Sequence, residues 1–469
     1  MRALFRQFSD HAAQAPDHPA IDGYFGRVSY HDLCLDVRRT ARWAQTLPPV
    51  VGLMAPKDCR WIVWFLALAW AGRTVVPMPE FFSSEQLAGV VADSGLDCIV
   101  TTPGMLTKAR ALGVAAFAPL PSQVLESDPS SSARLIVYTS GTAGRPKGVV
   151  LGGETLAHGV QSLVTAIGMN ARDRALSVLS PALLLEQVAS ILAPLWAGGT
   201  IILGRDSKSV PMDAEAFRPT TCILPPELLS IWVGWLESWG KRAPESLRFM
   251  TVGGAPVPPV LAERAWRVGL PVHESYGLSE CCSLVAMNRP GERVPGTVGT
   301  PLDGVQVVID GGEIVVSGPT VMEGYLHGER AQGRHRTGDA GYFDQNGRLV
   351  VSGRIDDVIV TGEGRNIHPE SIEAMVMGDP RIAQCAVVDG GELPVAVVVP
   401  AKTGFKRSIR STLDAHVAGL CAAAPDYAVP VRTVVVEERE LKRRNLVTSN
   451  GRLRRRAIAQ YLREADDPL

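Results

Sequence analysis

Hydrophobic residues fall into two textures along the chain. In the first, short apolar runs (Val50 to Met54, Thr74 to Pro77, Cys98 to Thr101, Thr200 to Leu203) alternate with segments of helical period, such as the one through Trp61, Trp64, Phe65 and Leu68. Strand-like runs separated by helices predict βαβ units and a largely parallel sheet. From Gly304 the texture becomes strand-rich. The stretch Gly304 to Gly318 reads as a hairpin turning at Asp310-Gly311-Gly312, and a turn at Asp344 to Gly347 separates two further runs. Leu349 to Ser352 and Val358 to Thr361 continue the pattern. From Pro369 the spacing predicts a helix over 370–377, strands over 384–388 and 394–399, a helix near 408–422 and a basic tail. The change near Gly353-Arg354 predicts a large α/β domain over 1–353 with parallel-type sheets. A connector over 354–356 would join it to a small mobile α+β domain over 357–469.

Composition narrows the class. Gly 46 and Pro 34 make 80 of 469 residues, above the usual share of about 12%, which favours backbone-lined loops over a helical bundle. With Lys+Arg 47 against Asp+Glu 48, the net charge of −1 offers no bulk attraction for nucleic acid or an anionic membrane. The most apolar stretch, Trp61 to Gly72, is a dozen residues or so, short of the ~20 a membrane span needs, so it reads as a buried helix. The N-terminal segment lacks the apolar core of a signal peptide, which points to a cytoplasmic protein. Eight scattered cysteines (34, 59, 98, 222, 281, 282, 385 and 421) form no Cys-x-x-Cys pair and read as reduced packing thiols.

The stretch Tyr138 to Gly148, between the apolar runs 135–137 and 149–151, carries the strongest chemical signal. Glycines let backbone N–H groups approach an anion, Thr139, Ser140 and Thr142 donate hydroxyls, and Arg145 and Lys147 neutralise charge. It is not a Walker A loop, because Gly148 follows Lys147 where Ser or Thr is required. From these residues alone, a nucleotide loop of another kind and a solvated hairpin loop are evenly matched.

Tyr138-Thr-Ser-Gly-Thr-Ala-Gly-Arg-Pro-Lys-Gly148 resembles the phosphate loop of the adenylate-forming superfamily, which includes acyl-CoA synthetases, nonribosomal-peptide adenylation domains and firefly luciferase. Further stretches follow in that family's order. Gly253-Gly-Ala-Pro256 resembles its adenine-floor turn, Glu274-Ser-Tyr-Gly-Leu-Ser-Glu280 its aromatic-Gly-x-Thr/Ser-Glu motif, and Arg336-Thr-Gly-Asp339 its ribose motif. Gly353-Arg-Ile-Asp-Asp357 resembles its hinge, and Gly364 to Glu373 the segment after it. The resemblance covers nearly the whole chain. It implies that Thr139, Ser140, Gly141, Thr142, Gly144 and Lys147 wrap phosphates, and that Gly254, Ala255, Pro256, Ser275, Tyr276, Gly277 and Ser279 surround the adenine. Asp339 would accept ribose hydroxyls, Arg354 would reach ribose or phosphate, Asp356 would be the hinge, and Glu280 would hold Mg²⁺. Each of these residues has an ordinary structural explanation by itself: a turn Asp, a core Tyr, a solvated Glu.

Two departures stand out. In the C-terminal stretch Val447 to Ala457, which resembles the family's Thr-x-x-Gly-Lys-x-x-Arg motif, Arg452 occupies the place of the catalytic Lys. After Pro181, where relatives carry a His or aromatic gate, this chain has Leu183, Leu184 and Leu185. The resemblance implies activation of a carboxylic acid by ATP through an acyl-adenylate, with Lys147, Glu280 and Arg452 as the catalytic set. CoA, or the phosphopantetheine thiol of an acyl carrier protein, would then accept the acyl group. The apolar run 181–185 favours a fatty or aryl acid, with Glu186 the one acid nearby that could meet an amino-acid ammonium. The Val358 to Ile367 spacing resembles the long-chain acyl-CoA synthetase branch. Transfer to an amine, and a nucleotide-binding homologue with lost catalysis, are the alternatives.

Overall fold

The computed structural model describes residues 1–119, 128–139, 147–361, 363–391, 393–401, 412–447 and 453–464. The predicted parallel architecture is present, and it is doubled. One sheet orders the strands Thr300–Pro301, Ala286–Met287, Val272–Tyr276, Phe249–Val252, Thr221–Leu224, Arg174–Ser177, Thr200–Leu203, Pro19–Gly23 and Val28–Ser29. Its central five pairings, from Val272–Tyr276 across to Pro19–Gly23, are parallel. The other sheet centres on the parallel strands Thr74–Pro77, Val50–Met54 and Cys98–Thr101, and on one side continues through the antiparallel strands Arg134–Thr139 and Lys147–Gly152 to the edge strand Gly324–Tyr325. Near-continuous apolar runs such as Thr221–Leu224, buried at all four positions, are what strands covered on both faces require.

Helices fill the space between and around the sheets. Cys59–Trp70, the apolar stretch singled out above, is capped by the Asp58 side chain and buried around nearly its whole circumference. Trp61 stacks on Phe65 with ring centroids 5.1 Å apart, and both belong to a core that also takes in Val51, Leu53 and Leu135 of the second sheet. All eight cysteines are free thiols, six of them buried.

The strand-rich region forms a four-stranded antiparallel sheet, Gln306–Asp310, Glu313–Ser317, Arg334–Phe343 and Leu349–Arg354, with the hairpin turn at Gly311-Gly312. The last strand runs on through Arg354, which pairs with Asp339, so the first residue of the anticipated connector is strand. A single 3₁₀ turn, Ile355–Asp357, follows it. Beyond lies a small unit in which Pro369–Val376 and Leu413–Leu420 pack against the strands Ile382–Asp389, Pro394–Pro400 and Arg432–Val435. The two helices and the first two strands fall where the spacing placed them, whereas the strand Arg432–Val435 was not anticipated. Residues 408–411 of the anticipated 408–422 helix lie outside the described residues.

Because the helix Cys59–Trp70 is packed between the strands Val50–Met54 and Thr74–Pro77 and the helix Tyr30–Ala44, truncation there leaves a buried cavity. Phe65→Ala is expected to lower stability by about 3–5 kcal/mol. A urea titration should show an earlier transition for the large domain and an unmoved one for the small domain.

Candidate active site

Parallel strands deliver their C-terminal ends to one face of a sheet, where α/β proteins place ligands. The strand Val272–Tyr276 ends there, and the chain passes through Gly277 into the short turn Ser279–Cys281. Gly277 is obligatory: a β-carbon at that position would lie 1.7 Å from the Ser283 carbonyl oxygen. The tight turn brings the Tyr276 hydroxyl to Asp339, to which it donates a hydrogen bond at 2.5 Å. Burial, helped by the Asp339 charge, pushes the Tyr276 phenol well above its usual range. Arg354, opposite Asp339 in the sheet, donates from Nη1 to the other carboxylate oxygen at 2.9 Å and to the Thr337 carbonyl at 2.7 Å. Both Asp339 oxygens are thus engaged, yet each keeps a second lone pair for a hydroxyl.

Glu280, from the same turn, accepts a hydrogen bond from the Tyr325 hydroxyl at 2.9 Å. Lys147 lies over the Tyr325 ring, its Nζ 5.3 Å from the centroid. Tyr325 therefore bridges the phosphate-loop lysine and the candidate metal carboxylate. Thr139 and Lys147 are register partners at the end of the two flanking strands. Ser140, Gly141, Thr142 and Gly144 lie outside the described residues, as does Arg452. Gly254 (φ 80°), Ala255 and Pro256 follow the strand Phe249–Val252, which is tied to the next strand by Ser275 Oγ donating to the Val252 carbonyl at 3.3 Å. Ser279 opens the turn that carries Glu280, and Asp356 is exposed in the 3₁₀ turn after Arg354.

Among the described residues no group of three or more His, Cys, Asp or Glu side chains could hold a metal alone. Mg²⁺ retains waters and is commonly bound by one or two carboxylates plus phosphate oxygens. Glu280, hydrogen-bonded to a phenol rather than paired with a cation, fits that demand.

Two neighbours escaped the sequence reading. Tyr325 carries no local signal beyond following Gly324. His335 shares strand Arg334–Phe343 with Asp339 at even spacing, the period that puts side chains on one face. Burial lowers its imidazole pKa against the pull of Glu280 and Asp339. A cavity of about 680 Å³ beside the helices Arg2–Gln14 and Tyr30–Ala44 is lined by none of these residues.

Glu186 is fully buried. One carboxylate oxygen accepts from Ser177 Oγ at 2.5 Å and the other from Ser190 Oγ at 3.1 Å, across the π-helical turn Gln187–Leu192. Burial raises its pKa and the Lys57 charge opposes the rise, while Lys57 itself donates to the Ser177 carbonyl at 2.7 Å. The basic tail is largely neutralised within its own domain. Arg443 and Arg444 share Glu440, Lys442 pairs with Glu438, and Arg463 with Asp389.

Residues 8–326 match the family model described as AMP-binding enzyme, and residues 371–445 the one described as AMP-binding enzyme C-terminal domain. The chain belongs to the AMP-binding enzyme family, within the adenylate-forming superfamily. A 2-succinylbenzoate–CoA ligase of Bacillus licheniformis is 34% identical over 307 residues, which is 60% of this chain and 62% of that protein. The match therefore spans less than two thirds of that relative's length. A Bacillus cereus ligase of the same name is 30% identical over 431 residues, 85% of each chain. The solved o-succinylbenzoate CoA synthetase of Bacillus subtilis, bound to its acyl-adenylate OSB-AMP, shares the fold with a TM-score of 0.82 at 22% identity, covering 99% of both chains.

Glu274, two residues before Tyr276, is buried and accepts the Gly296 N–H at 3.0 Å. Burial raises its carboxyl to about 8. A carboxyl whose folded pKa exceeds its unfolded one favours the folded state at low pH, and this contribution is lost as pH rises through the folded value. Stability should therefore fall between about pH 4.5 and about pH 8. In Glu274→Gln that slope should flatten, which thermal melts across the range will read.

Proposed function

We infer that the protein activates a carboxylic acid with ATP and passes the acyl group to CoA. One observation carries this reading: the Tyr276–Asp339–Arg354 cluster and the Glu280–Tyr325–Lys147 cluster share one turn, Gly277 to Cys281. The first suits a nucleoside, the second its phosphates. A carboxylate oxygen of the acid attacks the α-phosphorus of ATP, and the bond to the β-phosphate oxygen breaks, leaving an acyl-adenylate and pyrophosphate. The CoA thiol then attacks the acyl carbon, releasing AMP and forming the thioester.

The chain's residues serve the first step mainly by position and charge. Tyr276 offers a face to adenine while its hydroxyl keeps Asp339 oriented towards the ribose hydroxyls. Lys147 neutralises phosphate charge at the end of its strand. Glu280 would hold the Mg²⁺ that accompanies ATP, which would supply charge neutralisation for the phosphates. Arg452 reaches the acid's carboxylate and the α-phosphate as a bidentate donor in place of lysine. The exposed Asp356 is the pivot about which the small domain rotates between steps.

The acid class follows from Glu186. Both its carboxylate oxygens are used inside the protein and Lys57 faces it, so it does not serve a substrate ammonium. With Leu183, Leu184 and Leu185 beside it, this favours a fatty or aryl acid over an amino acid. The ligases it resembles, named for 2-succinylbenzoate, favour the aryl class within that range.

Pyrophosphate release should appear with aryl or fatty acids, and CoA should add thioester formation. Release with no acid would overturn the reading; release without a thioester would move the acceptor to a carrier thiol or an amine. Glu280→Gln should cost about 3 kcal/mol of transition-state stabilisation, comparable with loss of one oxyanion donor, and the defect should be steepest at limiting Mg²⁺. Asp356→Pro fixes φ and removes an N–H. It should preserve adenylation and abolish thioester formation, and equal loss of both would displace the pivot.

A further inference from the structure

The junction between the two domains is built around one guanidinium. Arg455, only 17% exposed, donates from Nη2 to both oxygens of Glu373 at 2.9 and 3.0 Å. Its Nη1 pairs with Asp357 and lies 3.2 Å from Glu370 Oε1. Arg456 adds a bond from Nη2 to the Asp356 carbonyl at 3.0 Å. Three carboxylates thus converge on one largely buried cation, and all of them belong to the small domain or its connector.

Glu370 differs from the other two. Its second oxygen, Oε2, is buried and has no hydrogen-bond partner. It faces Gly353, on the last strand of the large domain, so closely that a β-carbon there would lie 2.3 Å from it. Gly353 has φ 137°, a left-handed conformation suited to glycine, and with no side chain it leaves room for the carboxylate. Beside it, Ser371 Oγ donates to the Ser352 carbonyl at 3.2 Å. The Glu370–Gly353 contact crosses the pivot, whereas the Asp357 and Glu373 pairs do not. A buried carboxylate oxygen without a donor is costly, and this cost exists only while the small domain sits as it does here.

We propose that Glu370 and Arg455 are positioning residues that set the balance between the two domain orientations: Arg455 favours the present one by countering the charge that Glu370 buries there, and Glu370 disfavours it by burying an unsatisfied oxygen against Gly353. Rotation about Asp356 withdraws Glu370 from Gly353 and hydrates it, while Arg455 keeps Asp357 and Glu373. The inference rests on the two-orientation reading given under Proposed function.

The two residues act with opposite sign, which a merely structural role does not. In the full-length protein, a dye pair on exposed positions of the two domains reports the distance distribution with and without MgATP. Glu370→Gln, which removes one of three like charges, should enrich the present orientation severalfold. Arg455→Ala, which strands three carboxylates, should deplete it, and Arg455→Lys should fall between. Urea titration of each variant selects conditions in which the small domain is folded. Shifts of the two variants in the same direction, or no shift in either, would overturn the proposal while wild type still shows two distances. A single wild-type distance with and without MgATP would instead sink the two-orientation reading, and the proposal with it.

Discussion

The carboxylate of Asp339 is the constraint on which the rest of the site depends. A buried anion is tolerable only when paired and hydrogen-bonded. Here one donor comes from the end of a strand in the parallel sheet and the other from the end of the antiparallel sheet. Satisfying that charge therefore fixes two sheets relative to one another. It also fixes where the connector begins, because Arg354 is followed at once by the turn Ile355–Asp357. The proposed nucleoside site and the proposed pivot are set by the same ion pair.

Polar groups inside the large domain divide by whether their bonding is closed. Glu186 has two hydroxyl donors and a facing ammonium, so its charge is used internally. Asp339, Glu280 and Lys147 each keep capacity for a further partner: a lone pair, a carboxylate met only by a phenol, a cation resting on a ring face. Chemistry needs the second kind. In the proposed function the apolar residues around Glu186 would determine shape, and shape separates an aryl or fatty acid from a polar one.

The small domain shows the same division at its junction. Its basic tail looks like a solvated or ligand-seeking charge run when read in one dimension. In three dimensions Arg443, Arg444, Lys442 and Arg463 meet carboxylates of their own domain, and Arg455 turns inward to the connector.

The alternation of apolar runs with helical periods was enough to place the strands Val50–Met54, Thr74–Pro77, Cys98–Thr101 and Thr200–Leu203, because side-chain periodicity is local and burial of both faces leaves an unbroken apolar run. The order of motifs from Tyr138 to Glu373 likewise pointed to a nucleotide and to Glu280, Asp339 and Lys147, through their joint resemblance to the adenylate-forming superfamily, each residue having an ordinary structural explanation by itself. The sequence called for more than one sheet but could not show which strands pair in each, because strand pairing joins residues as distant as Ile21 and Ile201. Nor could it show that Tyr325 mediates between Lys147 and Glu280, that Glu186 is closed off, or that Glu370 lies against Gly353 across the pivot. Each depends on distance between chain-remote atoms and on the removal of water from between them, and only the tertiary structure decides those.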